Sequence, residues 1–232
     1  MTTMNGAHVR RLFVSPHLDD AVFACGGKIA SSTRPVVVTL FAGRPPPGAL
    51  TSWDAECGFV AGDDVIGLRQ NEDRQALERL AARPVWLDFR DDQYGESRTT
   101  ADIQTAIAGI IKREAPAAVY FPLGLYHADH RRASDAVLAL IDRFAIAWRA
   151  YEDAIYRRIA GAVDERVRML MRAGFALERR SPPLDPVADA GKRQAIACYR
   201  SQLRALRTRK GHDDVFAPEA WWAIASRRGA AP

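Results

Sequence analysis

The chain reads as an α/β protein: a Rossmann-like, mainly parallel sheet with helices on both faces and a helical C-terminal extension. Three observations carry that reading. Short apolar runs alternate with helical patterns through the first 150 residues, the βαβα order that builds a parallel sheet. Two of those runs, Leu12–Val14 and Ala118–Phe121, are followed at once by clusters of His and Asp. Ligands of open α/β sheets gather just past the C-terminal ends of strands. The last third changes to longer helical patterns around a short run near Phe175.

The expected strands are Leu12–Val14, Val36–Phe41, Val85–Phe89, Ala118–Phe121 and Ile146–Ala150, each a brief apolar run bounded by turn residues. Helices are expected after Asp20, over Asp64–Ala82, Thr100–Glu114 and His130–Phe144. Leu68, Ala76, Leu77 and Leu80 recur near a helical period in the second, and Ile103, Ile107, Ile110 and Ile111 in the third. Between Gly43 and Trp53 lies a long Pro-rich loop, read as a lid, a substrate loop or a plain connection. Its Trp53 suits an apolar contact with substrate or packing on a neighbouring helix. Ile155–Met171 and Ala188–Leu206 read as helices, and Trp221 and Trp222 as residues covering the core or facing a partner. No internal repeat is visible, and 232 residues suit one domain: an α/β core over 1–150 and a C-terminal part, 151–232, covering the sheet.

Composition narrows the class. Apolar residues make up 48% and charged residues 26% of the chain, as in ordinary globular proteins. No run of about 20 apolar residues suggests a membrane span. Met1–Arg11 is polar and lacks a signal peptide's apolar core. Three widely spaced Cys form no Cys-x-x-Cys pair, which fits a reducing cytoplasm. Cys25 is expected to be a small packing residue. The net charge of +5 comes largely from Arg200, Arg204, Arg207, Arg209, Lys210, Arg227 and Arg228. Without interleaved aromatics or a nucleic-acid motif, this reads as a solvated helix face rather than a nucleic-acid site.

The chemistry concentrates in two segments. Pro16-His17-Leu18-Asp19-Asp20, followed by Gly26-Gly27, comes after the first strand; Tyr126-His127-Ala128-Asp129-His130 comes after the fourth. Three of the five His of the chain fall in these clusters. His17 and Asp20, three apart, can face one side of a turn, leaving Asp19 to point elsewhere, over a metal-bound water or back onto the helix as an N-cap. Two such clusters point to one composite metal site. Zinc takes imidazole and carboxylate ligands and in catalytic sites keeps a position open for water.

These motifs resemble the LmbE-like (PIG-L) family of zinc-dependent N-deacetylases, which act on N-acetylglucosamine units of lipids, thiol-cofactor precursors and antibiotics. Arg69-Gln70-Asn71-Glu72 resembles the family's Arg-x-x-Glu helix, Leu87–Asp91 its strand ending in a substrate-contacting Asp, Tyr151-Glu152-Asp153 its tyrosine-acid motif, and Lys192–Gln202 its C-terminal helix. Leu18 stands where many members have Pro, and Tyr199 where a His is frequent.

The resemblance implies His17, Asp20 and His130 as ligands of one Zn²⁺ per chain. It implies Asp19 as the general base that takes a proton from water and returns it to the amine. His127, protonated, is expected to stabilise the oxyanion, with Asp129 orienting it or capping the helix that follows. Arg69 and Asp91 are the expected contacts to sugar hydroxyls, unless Arg69 pairs with Glu72 or Asp73 on its own helix. The expected substrate is a small N-acyl amino sugar or a conjugate of one. A two-His-one-carboxylate triad also describes non-haem Fe(II) oxygenases, but those have no need of a second Asp beside the ligands.

Overall fold

The computed structural model describes residues 10–95, 99–207 and 212–227. Seven strands form one sheet: β1 (Arg11–Ser15), β2 (Val36–Thr39), β3 (Arg83–Trp86), β4 (Ala118–Pro122), β5 (Ala147–Tyr151), β6 (Phe175–Arg180) and β7 (Trp221–Ser226). Their spatial order is β3-β2-β1-β4-β5-β7-β6. The first five in that order run parallel, in registers such as Phe13 opposite Val37 and Tyr120. β7 runs antiparallel to both its neighbours. Among the described residues no helix is long and apolar enough to cross a membrane.

The helices are α1 (Asp20–Ala30), α2 (Ser52–Cys57), α3 (Val65–Arg79), α4 (Thr100–Glu114), α5 (Ala128–Leu138), α6 (Ala162–Arg172), α7 (Pro186–Ile196) and α8 (Arg200–Arg207). Alternate residues of each strand feed opposite faces. Leu12 and Val14 pack with Ile103 and Ile107 of α4, Val137 of α5 and Leu170 of α6. Phe13 packs with Val22 of α1, Leu77 of α3, Ile196 of α7 and Leu203 of α8. Burying each such side chain contributes ~1.5–3 kcal/mol before entropy is counted.

Sequence and structure agree on α4 to the residue and diverge elsewhere for local reasons. Asp64 caps α3 by accepting from the Gly67 N–H. The helix expected to end at Phe144 stops at Leu138, followed by a 3-10 turn at Ile141–Arg143. Turns occupy 155–161, so α6 starts only at Ala162. The single helix expected over Ala188–Leu206 breaks between Ile196 and Arg200. Ser52–Cys57, which begins in the last two residues of the expected loop, is helical because Thr51 and Asp54 form a reciprocal capping box. The C-terminal part is helical but also adds β6 and β7, so Trp221 and Trp222 sit on a strand. Arg209, Lys210 and Arg228 of the basic run lie outside the described residues.

The Gly pair in α1 has a packing reason. Cys25 leaves helical geometry (φ −134°, ψ 16°), and the Gly27 and Lys28 N–H groups then donate to buried Glu219 at 2.8 and 3.1 Å. A Cβ on Gly26 would lie 2.8 Å from Cγ of Lys192, whose Nζ is 3.1 Å from Glu219 Oε1. Cys25 itself is fully buried, a packing residue as expected.

Candidate metal centre

From β1 the chain winds outward to β2 and β3, then crosses back to β4 on the other side of β1. That reversal is the topological switch point, and the crevice between the C-terminal ends of β1 and β4 is where such sheets bind ligands. His17, Asp19 and Asp20 follow β1; His127, Asp129 and His130 follow β4. The two sequence clusters meet there across a cavity of about 360 Å³.

The β1–α1 turn is wired by short contacts. Ser15 Oγ donates to the His17 carbonyl at 2.6 Å and accepts from the Ala21 N–H at 3.0 Å. The His17 N–H donates to Asp20 Oδ2 at 2.9 Å. Asp19 occupies the N-cap position of α1, but its side chain makes no capping hydrogen bond, so helix capping does not explain it.

His17, Asp20 and His130 bring one ligand atom each to within 4.8 Å of one another. Asp20 Oδ2 is 3.3 Å from His17 Nδ1 and 3.2 Å from His130 Nε2. His130 is buried, and its Nδ1 meets Asp153 Oδ1 at 2.5 Å. That contact keeps a proton on Nδ1, so Nε2 is the nitrogen left to serve as a metal ligand. Nε2 is buried and makes no well-aligned hydrogen bond, its near neighbour being Asp20 Oδ2 at 3.2 Å. His17 is held the same way from its far side, Nε2 lying 3.1 Å from Asp129 Oδ2. Each imidazole thus has one nitrogen on a carboxylate and the other aimed at Asp20, the arrangement of metal-bound histidines.

The electrostatics also ask for a cation. Burial disfavours a charged His130, yet Asp20 and Asp153 outweigh it and raise its pKa to about 9. Burial likewise works against His17, but Asp91, Asp129 and Asp20 lift it well above the usual histidine range. Asp20 is held far below the usual carboxylate range by His130 and His17, against burial. Protons on the imidazoles here do the neutralising that a dication would do. The donor set and the buried Nε2 both fit a metal ion. Burial and the Asp20 charge push the Asp19 carboxyl well up, against the pull of His17, Arg69 and His130.

His127, Asp129 and His17 form a second group within the same distance. Its Asp129 carboxylate is already taken by Arg132 (2.8 Å), the Asp92 N–H (3.0 Å) and His17. Asp129 was expected to orient His127 or cap α5. Its carboxylate does neither: it faces His17, and only its main-chain N–H reaches His127, donating to Nδ1 at 3.2 Å. A cationic His127 was also expected. An Nδ1 that accepts a hydrogen bond carries no proton, so the ring is the neutral Nε2–H form. Burial, with the His17 and His130 charges, lowers its pKa.

Arg69 and Asp91 both line the cavity. Arg69 pairs with neither acid of its own helix. Glu72 accepts from Ser201 and Asp73 from Trp86 and Tyr199, so Arg69 reaches across to buried Asp54 of α2 at 2.9 Å, leaving its Nε buried and unpartnered. Asp91 accepts from the Gln93 N–H and Nε2 and lies 3.7 Å from His17 Nε2. Trp53 lines the cavity while its Nε1 donates to Gln202 of α8 at 3.1 Å. Sequence reasoning missed the role of Asp153. Its Oδ2 accepts from the Gly124 and Leu125 N–H groups at 3.1 and 3.2 Å, tying the β4–α5 loop to His130. The signal was Tyr151-Glu152-Asp153, read only as a motif. Ile155, Tyr156 and Gln202 were also missed as cavity walls.

Fold and site together define an open α/β protein with a two-His-one-Asp centre at its switch point. A model of the PIG-L family, GlcNAc-PI de-N-acetylase, matches residues 12–141, more than half of the chain, and the chain belongs to that family. A search of curated proteins gave no significant match. Among solved structures, a triple mutant of a deacetylase in the teicoplanin biosynthetic pathway is similar with a TM-score of 0.81 and 26% identity over 95% of this chain and 100% of that one. An antimicrobial-pseudoaglycone deacetylase is similar at 0.78 and 27%, over 97% and 100%. The N,N'-diacetylchitobiose deacetylase from Pyrococcus horikoshii shares the fold at 0.53 and 18%, over 83% and 70%.

Proposed function

We propose that this protein is a zinc-dependent N-deacetylase that removes an acetyl group from the nitrogen of an amino sugar or amino-sugar conjugate. The observation that carries the reading is the convergence of His17, Asp20 and His130 on one point, with a buried Nε2 that makes no well-aligned hydrogen bond, beside an Asp19 whose side chain caps no helix. Family membership and the deacetylases among the structural neighbours support it. The iron-oxygenase alternative is not favoured by either.

His17, Asp20 and His130 would hold one zinc ion. When bound, the ion supplies a water of lowered pKa and polarises the acyl carbonyl. Asp19 takes the proton of the attacking water on a carboxylate oxygen and delivers it to the departing nitrogen as the C–N bond breaks. His127 uses its Nε2–H to donate to the carbonyl oxygen as that oxygen gains negative charge. Asp129 and Asp153 act through the rings they hold, as positioning residues. Arg69 and Asp91 offer a donor and an acceptor to sugar hydroxyls. Asp153, Tyr156 and Gln202 come from beyond residue 150, which favours one functional domain over the whole chain. Three free, buried cysteines favour a cytoplasmic setting.

The test is release of acetate and a free amine from N-acetylglucosamine and its glycosides, with metal content measured on the same samples. Activity that chelator removes and zinc restores is expected. A metal-loaded protein that deacetylates none of these would overturn the reading.

A further inference from the structure

We infer that Tyr126 determines substrate size: it is the outer stacking face for a second ring joined to the amino sugar, so the preferred substrate is a conjugate of at least two rings. This rests on the deacetylase reading above and names the substrate class of the same site.

A strip of rings leads from the metal ligands to solvent. His130, 1% exposed, lies 5.0 Å from the half-buried ring of Tyr156. The Tyr156 ring lies 5.5 Å from that of Tyr126, tilted by 36°. Both tyrosines line the cavity. Tyr126 is 65% exposed, whereas the other Phe, Tyr and Trp side chains among the described residues are buried or half-buried. With the acyl group at the metal, Tyr156 sits beside the reacting sugar, and Tyr126 beside whatever that sugar is attached to.

The backbone holds Tyr126 out on purpose-built geometry. Its φ is +57°, a left-handed conformation that bulky side chains rarely adopt and Gly or Asn adopts readily. The flanking chain is fixed by the His127 N–H donating to the Leu125 carbonyl at 2.7 Å and by Asp153 on the Gly124 and Leu125 N–H groups. A bulky ring kept where a smaller residue fits better, on a pinned loop, is a preorganised contact, and preorganisation lowers the entropy cost of binding. Tyr supplies rigid amphipathic area suited to a ring with an apolar face. Either an aromatic aglycone or the apolar face of a second sugar has that chemistry.

The experiment compares Tyr126→Ala and Tyr126→Phe with wild type on three probes: N-acetylglucosamine, an aryl N-acetylglucosaminide and N,N'-diacetylchitobiose. For at least one two-ring probe, Tyr126→Ala should lower kcat/KM relative to N-acetylglucosamine by about tenfold, through KM, the scale of losing one half-buried ring. Tyr126→Phe should keep the wild-type ratio. The arm that responds separates aromatic from sugar. Unchanged ratios for both two-ring probes, including an equal loss on all three through disturbance of His127, would overturn the inference. Calorimetry of the same probes on zinc-loaded Asp19→Asn protein, with and without Tyr126→Ala, gives a readout apart from turnover. If wild type hydrolyses nothing, the deacetylase reading fails, and this binding difference still decides: a tenfold weaker two-ring probe supports Tyr126, and equal or absent binding overturns it.

Discussion

Asp153→Asn should damage the metal centre from outside it. The carboxylate serves two clients: Oδ1 takes the His130 Nδ1 proton at 2.5 Å, and Oδ2 takes the Gly124 and Leu125 N–H groups at 3.1 and 3.2 Å. All are buried. An amide of the same shape has one acceptor and one donor end. If its oxygen faces His130, its NH₂ meets two N–H donors. If its oxygen faces the loop, its NH₂ donates to Nδ1, and the ring proton moves to Nε2, the atom aimed at the metal position. In the first case one or two buried donors lose partners, at ~1–3 kcal/mol each. In the second the lone pair that binds metal is lost. Metal affinity should fall about 10–100-fold, or ~1.4–2.7 kcal/mol, and metal-free stability by about 2–4 kcal/mol. Competition with a chromogenic chelator reads the first, urea unfolding the second. Wild-type metal affinity in Asp153→Asn would refute the claim that this carboxylate sets the state of His130.

Asp19→Asn should keep its metal and lose about 10²–10⁴-fold in turnover, because the amide cannot take the water proton; near-normal kcat would remove the role. His127→Ala should keep metal and lower kcat by about 10²–10³ with little change in KM. Since the donor is the Nε2–H of a neutral ring whose pKa is lowered, the His127 contribution should persist as pH rises through and above neutrality. A pH–rate profile with an alkaline limb that His127→Ala abolishes would show an imidazolium instead. Asp73 tests the fold rather than the site. Burial pushes its carboxyl up to about 6, against hydrogen bonds from Tyr199 and Trp86, so the folded state binds a proton that the unfolded chain, near 3.9, releases. Stability should therefore fall as pH rises from about 4 to 6, by ~3 kcal/mol in all. Asp73→Asn should flatten that window in urea unfolding at stepped pH; an unchanged slope would assign the titration to another group.

The sheet was readable because its strands are short apolar runs between turn residues, and the site because both His-Asp clusters abut strands that become neighbours, β1 and β4. Which carboxylate faces which imidazole was not readable. Asp129 lies two residues from His127 in sequence, yet its side chain meets His17, 112 residues away. Asp54, the partner of Arg69, sits on a short helix just after a Pro-rich stretch, where only the Thr51–Asp54 box announces it. The C-terminal strands escaped because Phe175–Arg180 alternates on an edge with little burial, and because Trp221 and Trp222 face opposite sides of the sheet. Periodicity cannot separate such runs from helix packing.

The most direct test of the account is anomalous diffraction from crystals grown with zinc, recorded on both sides of the zinc edge. A single peak bounded by His17, Asp20 and His130, with Asp19 and His127 left off the ion, is the expected result. A peak between His17, His127 and Asp129, the second group of ligand atoms within reach of one another, or no peak at the switch point at full zinc loading, would contradict it.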